Sequence, residues 1–505
     1  MAWDRGAPIV LTADRTLMAD YGVLLDGMMA SSQTTTTPWP VVSALIAPRA
    51  PHPGGLAKVA PLGLRRVQAA LIAGGFSPED IAVVDDAHIG AVIGPNTRVV
   101  GIASGEPTGI GMSSTTMAGV AGGCIYPQVL FQRLLRRTRQ LVTSRCPDAR
   151  IVMGGPGAWQ YAASPDIAAQ HGVDHVVVGY AETAAPSLFR ALVSGQDAPH
   201  VLTADGPAAH DIPRILGPST MGVIEISRGC GLGCGFCTIG RVPMQHLPPD
   251  TILADARTNV DGGVTSIGVL SEDIFRYGGA GVHPNPGALL SLLSDLRAIP
   301  GMRLIQADHA NIATIRHFSD EQLRAIHGLM CGDTGARHPW VNVGVESASG
   351  ALLRRAGGGG KMVDISDEDW PGQCAEQLAR LCRAGFSPMV SLLIGIPEET
   401  QEDIAATWEW VHSISALNVT VFPVLYAPVD GADPITRDDL TPLHWRLMRD
   451  SYELNFRRVP VLYADNQLGA GVAMWRRAAL QLTGRGQVVL WRHLLTRLQR
   501  RSARG

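Results

Sequence analysis

Lysine is nearly missing from this chain: among 42 basic residues only Lys58 and Lys361 are lysines. The skew towards arginine reads as a trait of the gene's base composition and carries no functional weight. A basic surplus is missing as well. With a net charge of -3 and an isoelectric point near 6.6, the chain does not suit a nucleic-acid binder that works by neutralising phosphates, and a small molecule or a peptide is the expected substrate. No apolar run approaches the roughly 18 residues that cross a bilayer, and the N-terminus, with Asp4, Arg5 and Asp14, has no signal-peptide pattern. The expectation is a cytoplasmic protein with no membrane span and no nucleic-acid partner. Cysteine is scarce: eight in 505 residues, unevenly placed, exclude a disulfide framework and turn attention to metal binding or catalysis.

What is present is enough apolar material for a large core. Hydrophobic residues make up 46% and charged ones 17%, with a mean hydropathy of +0.11, so the chain is globular rather than disordered. Its length corresponds to about three domains. Residues 1 to about 40 read as a lead-in. Short apolar runs at 41–47, 81–84, 99–103, 150–153 and 175–178 then alternate with helical patterns at 62–73 and 127–142. Continuous apolar strands interleaved with helices describe a doubly wound parallel sheet. In such sheets ligands bind outside the carboxyl ends of the strands. Those ends are small here: Ser104 and Gly105, then Gly109 and Gly111; Gly154 and Gly155, then Gly157; and Gly179. The glycines outline a cofactor cleft, although tight strand-to-helix turns also use glycine. Residues 197–218, with several Pro and Gly, read as a linker.

A second alternating series follows, with strands expected at 223–227, 266–270, 303–307, 341–345, 389–394 and 420–425. Helices are expected around 286–296, 320–326, 373–384 and 401–414, with Asn285 capping the first and Thr400, with Asp403, the last. Six β/α units predict a partial (β/α)6 barrel whose active site lies on the loops after its strands. Residues 331–340 and 357–370 are polar and glycine-rich and are expected as mobile insertions. Beyond about residue 430 the pattern becomes a helical tail. Its Arg476, Arg477, Arg485, Arg492, Arg497, Arg500, Arg501 and Arg504, with no acid among them, form a solvated face or an anion-binding surface. The fold class is thus α/β with a helical C-terminal segment, and the expected domains are 1–205, 206–430 and 431–505.

Three cysteines cluster in the segment Arg-Gly-Cys-Gly-Leu-Gly-Cys-Gly-Phe-Cys-Thr at 228–238, as Cys230, Cys234 and Cys237. Cys124, Cys146, Cys331, Cys374 and Cys382 are scattered and read as small buried hydrophobes. Spacings of four and three, directly after a strand and separated mostly by glycine, let three thiolates converge on one small centre. A structural zinc ion would want a fourth Cys or His at a matching spacing, and none precedes the distant His246. An iron-sulfur cluster held by three protein ligands leaves one iron open to an exogenous ligand.

At these residues the chain resembles the radical S-adenosylmethionine (SAM) enzymes, whose motif has three cysteines at this spacing and an aromatic residue before the third, here Phe236. Two further segments follow in family order. Gly344-Val-Glu-Ser-Ala-Ser349, with Glu346 and Ser347, resembles the family's segment near the ribose and amino-acid moiety, and Gly395-Ile-Pro-Glu-Glu-Thr400, with Ile396, resembles its Gly-x-Pro-x-Glu-Thr turn. Ser271, Glu272 and Asp273 match the position, though not the letters, of a Gly-Gly-Glu-like element that holds the methionyl amino group. The resemblance implies a 4Fe-4S cluster on Cys230, Cys234 and Cys237 whose open iron binds SAM. One electron from an external flavodoxin- or ferredoxin-type donor then cleaves a carbon–sulfur bond to give a 5'-deoxyadenosyl radical. Such chemistry has to be shielded from water and oxygen.

The preceding sheet, with Pro61, Leu62, Gly63, Ser104, Gly105, Gly154, Gly155, Gly179, Tyr180 and Glu182 at successive elements, resembles the Rossmann-like cobalamin-binding domain of the cobalamin-dependent (class B) radical SAM enzymes. Asp86-Ala-His88-Ile-Gly90 is one residue short of the Asp-x-His-x-x-Gly pattern of cobalamin proteins that displace the lower base, and it follows the second strand instead of the first. His88 therefore reads as a surface-loop histidine, and His52, between two prolines, is weak evidence for a cobalt ligand. With both cofactors, the resemblance implies methyl transfer from SAM via methylcobalamin to an unactivated carbon or phosphorus of a small-molecule or peptide substrate, as in natural-product or lipid modification. Glu272, Tyr277, Asp308 and Tyr426 are the expected lining residues by strand-end position. A cyclase or oxidoreductase of the same architecture is the alternative, with a non-catalytic iron-sulfur protein behind it.

Overall fold

Five successive buried residues, Ile9–Ala13, four of them apolar, form the first strand (β1) of a six-stranded, wholly parallel sheet. The computed structural model describes residues 3–428 and 434–502. The other strands of this sheet are β2 (Ile81–Val83), β3 (Val99–Ala103), β4 (Arg150–Gly154), β5 (His175–Gly179) and β6 (Val201–Ala204), in the order β2-β1-β3-β4-β5-β6. One face packs Val10, Val100, Ile102 and Ile151 on Phe131 and Leu134; the other packs Ile9, Leu11 and Val99 on Leu71 and Phe189. Burial on both faces is what a doubly wound sheet requires. The order reverses between β1 and β3, where a crevice opens at the carboxyl ends.

Two assignments in this half differ from the sequence reading. Residues 41–47 are not a strand: Trp39–Val41 is helical and continues into the π-turn Val42–Ile46. The first strand lies instead in the supposed lead-in. A short apolar run has no period that separates a buried helix from a buried strand, and Pro40 in the first helical turn favours the helix. The supposed linker at 197–218 likewise contributes β6, which pairs with β5 from Val176↔Val201 to Gly179↔Ala204.

The second half contains β7 (Val223–Glu225), β8 (Ser227–Arg228), β9 (Gln245–His246), β10 (Ser266–Leu270), β11 (Leu304–Ala307), β12 (His309–Ala310), β13 (Trp340–Glu346), β14 (Ser387–Ile394) and β15 (Thr420–Leu425). Strands β8 and β9 make a small antiparallel ribbon. The rest run parallel in the orders β11-β10-β7 and β12-β13-β14-β15, a partial barrel of six positions whose third strand breaks at Asp308. As expected, Asn285 caps Pro286–Arg297 through the Ala288 N–H (3.2 Å), and Thr400 with Asp403 forms a capping box on Gln401–Ser413.

The C-terminal helix Pro442–Gly469 packs on β15, and the helix Met474–Ser502 packs along it. Asn455 brackets the Val421 backbone, accepting from its N–H at 2.7 Å and donating to its carbonyl at 2.6 Å. Arg485, Arg492, Arg497 and Arg500 are exposed, so the arginine tail is largely a solvated face, with Arg492 paired to Glu453. The expected boundary at residue 430, the Arg501 side chain and Arg504 lie outside the described residues. Residues 331–340 are pinned rather than loose: the Asp465 carboxylate accepts from the backbone N–H groups of Arg337 and His338 at 2.9–3.0 Å. Among the described residues no helix is long and apolar enough to cross a membrane.

The halves meet along a polar seam. Arg66, on the helix Leu62–Ala73, reaches Asp255 at 2.5 Å and donates to the Pro213 carbonyl at 2.6 Å, while Arg65 donates to the Pro218 carbonyl at 3.0 Å. The helix Leu24–Ser31 inserts beside the barrel strands, where the Leu24 N–H donates to Gln306 Oε1 at 3.2 Å.

Candidate functional site

The cysteine loop leaves β8 through Gly229, whose φ of +76° suits glycine and whose place no side chain could take, since a Cβ would lie 2.3 Å from the Pro243 carbonyl oxygen. The loop then closes on residues 240–242: Cys230 N–H donates to the Val242 carbonyl (2.9 Å) and Gly233 N–H to the Gly240 carbonyl (2.8 Å). Cys234 is buried, Cys230 and Cys237 are half-buried, and all three thiols are free. Among the described residues, only His52, Asp85 and His88 bring three ligand atoms within 4.8 Å of one another. Burial, together with the charges of Cys230 and Cys237, pushes the Cys234 thiol up to about 11, and Lys361 works against this.

Lys361 comes from the segment expected to be a mobile insertion, and that expectation fails. Residues Gly358–Met362 form a 3-10 turn packed directly on the cysteine loop; a Cβ on Gly360 would lie 1.9 Å from the Leu232 carbonyl oxygen. The turn delivers the Lys361 ammonium to the Glu346 carboxylate. Glu346 itself sits at φ +63°, where β13 bulges against β14 between Gly344 and Glu346. Left-handed backbone in a non-glycine residue costs of order 1–3 kcal/mol and marks positions held for function. Coulombic attraction to Glu346 and Cys234 keeps the Lys361 ammonium charged despite its burial.

Glu272, after β10, faces this pair. Burial and the nearby Asp308 raise its pKa, while His309 and Lys361 oppose the rise. His309 Nδ1 lies 3.0 Å from Asp308, and that carboxylate with Glu272 overcomes burial to lift the imidazole to about 9. Glu272, Asp308, His309, Glu346 and Lys361 therefore form one charged cluster, the first four in or just after barrel strands and Lys361 on the turn Gly358–Met362. Lys361 and His309 were not singled out from the sequence as site residues. The adjacency of His309 to Asp308 was a usable signal, whereas Lys361 stood out only as a rare lysine.

Several expected site residues are tied into the scaffold. Asp273 is fully buried, with one oxygen accepting from Phe275 N–H (3.2 Å) and the other from the Thr314 hydroxyl (2.9 Å); burial lifts its pKa to about 7. Ser271 bonds Ser227 at 2.6 Å, and Tyr277 donates to the Leu247 carbonyl at 3.2 Å from within the core. Ser347 is buried against Thr407, its carbonyl accepting from Trp370 Nε1 at 2.9 Å. Phe236 and Ile396 are buried in the barrel core, and Tyr426 is half-buried after β15, its N–H donating to the Ile394 carbonyl at 2.9 Å. Of the scattered cysteines, Cys146, Cys331 and Cys374 are buried and Cys382 half-buried, as expected, but Cys124 is exposed.

At the mouth of the first sheet the glycines divide. A Cβ on Gly155 would strike the Ser104 carbonyl at 2.7 Å and one on Gly179 the Ala204 carbonyl at 2.1 Å, so backbone packing demands both. A Cβ on Gly105 would meet nothing within 4 Å, and one on Gly154 only the Val177 oxygen at 3.9 Å. Beside them the Ser104 hydroxyl is buried without a hydrogen-bond partner. Tyr180 and Glu182 turn to Arg228, two residues before Cys230: the guanidinium lies 4.3 Å from the Tyr180 ring centre and donates to Glu182 at 2.6 Å and to Glu225 at 2.8 Å. Pro61, Leu62 and Gly63 open the helix at the seam and do not line the cavity between the halves. That cavity, about 410 Å³, is walled by Gly105, Glu106 and Pro156 from the first sheet and by Val223, Leu270 and Asp308 from the barrel.

Comparison with known proteins bears on both halves. Residues 224–411 match the family model described as the Radical SAM superfamily. The chain is 29% identical over 197 residues to the tRNA-2-methylthio-N(6)-dimethylallyladenosine synthase of Acidithiobacillus ferrooxidans, covering 38% of this chain and 40% of that one. It is 26% identical over 261 residues to the ribosomal protein uS12 methylthiotransferase RimO of Trichlorobacter lovleyi, covering 49% and 53%. The chain thus spans about half the length or less of these curated relatives. Its fold resembles that of the radical S-adenosylmethionine methyltransferase TsrM from Kitasatospora setae, solved with tryptophan substrate and a SAM analogue, at a TM-score of 0.52 and 16% identity over 84% of this chain and 75% of that one. A second TsrM structure, solved with cobalamin and a 4Fe-4S cluster, matches at a TM-score of 0.51. With the cysteine triad at the mouth of its barrel, residues 224–411 match the kind of domain that works with a 4Fe-4S cluster and SAM.

Proposed function

We propose that the chain is a cobalamin-dependent radical SAM methyltransferase acting on an unactivated carbon or phosphorus of a small-molecule or peptide substrate. The observation that carries this reading is the shared cavity: residues after β3 and β4 of the doubly wound sheet and residues of the barrel strands β7 and β10 line one hollow, with Gly105 on one wall and Asp308 on the other. Cys230, Cys234 and Cys237 would hold the cluster. Ser104, with its unpartnered hydroxyl, and Gly105 and Gly154, with open space above them, fit a large planar group lying on the sheet's mouth. The TsrM fold, known with cobalamin and a cluster bound, supports that pair of cofactors. When bound, the cluster supplies an electron for SAM cleavage and cobalamin a carrier for the methyl group.

The chain's own residues provide the setting. The Lys361 ammonium offsets negative charge beside the thiolates and suits a carboxylate ligand. Glu272, its pKa raised, can accept a proton or a hydrogen bond from an ammonium group. His309, protonated up to about pH 9, holds a proton next to Asp308. Burial of Glu346 and Lys361 keeps water from the radical-forming side. An external flavodoxin- or ferredoxin-type reductant completes the system.

Anaerobic purification with added cobalamin tests the reading through iron, sulfide and cobalt content and reductant-dependent formation of 5'-deoxyadenosine and S-adenosylhomocysteine. About four irons and one cobalt per chain with both products, and label from methyl-labelled SAM in the product, are expected. Product formed without label would replace the proposal with a cyclase or oxidoreductase. The relatives favour one second reading, methylthio transfer; sulfur appearing in the product along with the methyl group would establish it instead.

A further inference from the structure

The last helix, Met474–Ser502, is apolar on two opposite sides. Its inner side is fixed: Leu480 and Leu495 are buried, the Trp491 ring stacks on Tyr452 with centres 5.3 Å apart, and Gln487 Nε2 donates to Gln33 Oε1 at 2.7 Å. Its outer side carries Met474, Trp475, Leu482, Val489 and Leu490, each 65–77% exposed. Trp475, Leu482 and Val489 follow one another at two-turn spacing and stand in one row, with the exposed Ala478 and Gly486 between them. A lone exposed leucine needs no explanation. A contiguous apolar row on a helix whose other side is already packed does, because a helix apolar all round is ordinarily covered all round.

Cations frame this row. The exposed Arg485 and Arg492 flank it on one side, and it runs on into His493, Arg497 and Arg500, all exposed. From Asn466 to Gly505 the chain has eight arginines and no Asp or Glu. Arg492 reaches Glu453 on the neighbouring helix at 2.7 Å, the one ion pair that this helix makes among the described residues.

The combination selects what covers the row. A second copy of the chain would set arginine against arginine with no acid on this helix to meet them, and like charges across an interface oppose association. A nucleic acid would satisfy the arginines through its phosphates and leave Trp475, Leu482 and Val489 without partners. The surface of a bilayer rich in anionic lipid meets both needs: its phosphates accept from the guanidinium groups, and the apolar row enters the boundary between headgroups and acyl chains. The exposed Trp475 suits that boundary, where one end of the ring is apolar and the other wet. Since no helix among the described residues is long and apolar enough to cross a membrane, the contact is one of lying on the surface.

We infer that the outer side of Met474–Ser502 is a docking surface for an anionic lipid bilayer, on which the whole protein lies peripherally. The helix is already folded against the rest of the chain, so docking has little backbone to order. The surface is separate from the cysteine loop and does not depend on the proposed reaction.

Co-sedimentation of the full-length protein with sucrose-loaded vesicles tests this, with vesicles of phosphatidylcholine alone compared against phosphatidylcholine carrying about one-third phosphatidylglycerol. Binding at least ~10-fold tighter to the anionic vesicles is expected, fading as salt rises from about 0.1 to about 0.5 M. Leu482→Ser should weaken that binding about 10-fold and Arg497→Gln about 5-fold, each with an unchanged midpoint of urea unfolding because both side chains face solvent. Brominated acyl chains should quench the fluorescence of the wild type more than that of Trp475→Phe, a variant that keeps the apolar row intact. No sedimentation with either vesicle, which would leave an acidic protein as the partner, equal binding to both vesicles, or binding untouched by Leu482→Ser and Arg497→Gln alike would each overturn the inference. So would a concentration-dependent dimer in the absence of vesicles that Leu482→Ser dissolves, since the row would then face a second copy.

Discussion

The two parallel sheets are built on the same principle and present opposite chemistry at their carboxyl ends. The barrel mouth gathers Glu272, Asp308, His309, Glu346 and Lys361 around three thiols. The mouth of the first sheet offers small residues, one orphaned hydroxyl and open space, with its charged groups displaced to the β2 edge. Strand-end loops in α/β folds are free to diverge because the core constrains only the strands. One half therefore presents charge and three thiols, and the other room.

The sharpest break in this comparison is Cys234→Ala. It should cut iron from about four per chain to a small fraction and abolish SAM cleavage, while cobalt retained by the first sheet stays unchanged; loss of both would mean the halves are one binding unit. Next in size is Lys361→Met, which strands the Glu346 carboxylate in a site where that side chain is only 10% exposed. Removing one partner of a buried pair costs about 3–5 kcal/mol, measurable by urea unfolding. The double variant with Glu346→Gln should regain most of that stability but not SAM cleavage.

On the other sheet, Gly179→Ala forces a Cβ to 2.1 Å from the Ala204 carbonyl at φ +97° and should destabilise by roughly 1–3 kcal/mol. Gly105→Val should leave unfolding unchanged within about 0.5 kcal/mol while lowering cobalamin retention about tenfold; equal effects on stability from the two would erase the distinction between packing and ligand glycines. The smallest effect concerns pH. His309 is raised from 6.5 to about 9 in the folded chain, so its pairing with Asp308 stabilises fully below pH 6.5 and fades as pH climbs through about 9. Its side chain is 38% exposed, so solvent screening keeps the slope shallow. Unfolding midpoints compared with His309→Gln across that window should converge at the alkaline end.

How far the site was legible differs from residue to residue. The cysteine triad lies within eight consecutive positions, and its spacing carries the chemistry unaided. The glycines after β3, β4 and β5 were legible as strand ends, but Gly155 and Gly179 turned out to serve neighbouring backbones. Tyr180 and Glu182, expected at a cofactor, hold Arg228. Lys361 was set aside as compositional noise because its role exists only once the turn Gly358–Met362 folds onto the cysteine loop. Asp273 and Tyr277 follow β10 just as Glu272 does, and nothing in the letters says which of these carboxylate or hydroxyl groups joins the charged cluster.

The sequence by itself determined the alternation of strands and helices in both halves, the helix caps at Asn285 and Thr400, and the cysteine triad, because each is written in local spacing. Only the tertiary structure decided that residues 9–13 and not 41–47 form the first strand, that the supposed insertion carries a site lysine, and that His52 meets Asp85 and His88. Those outcomes rest on burial and on contacts between segments distant along the chain, and such contacts leave no periodic mark in either partner.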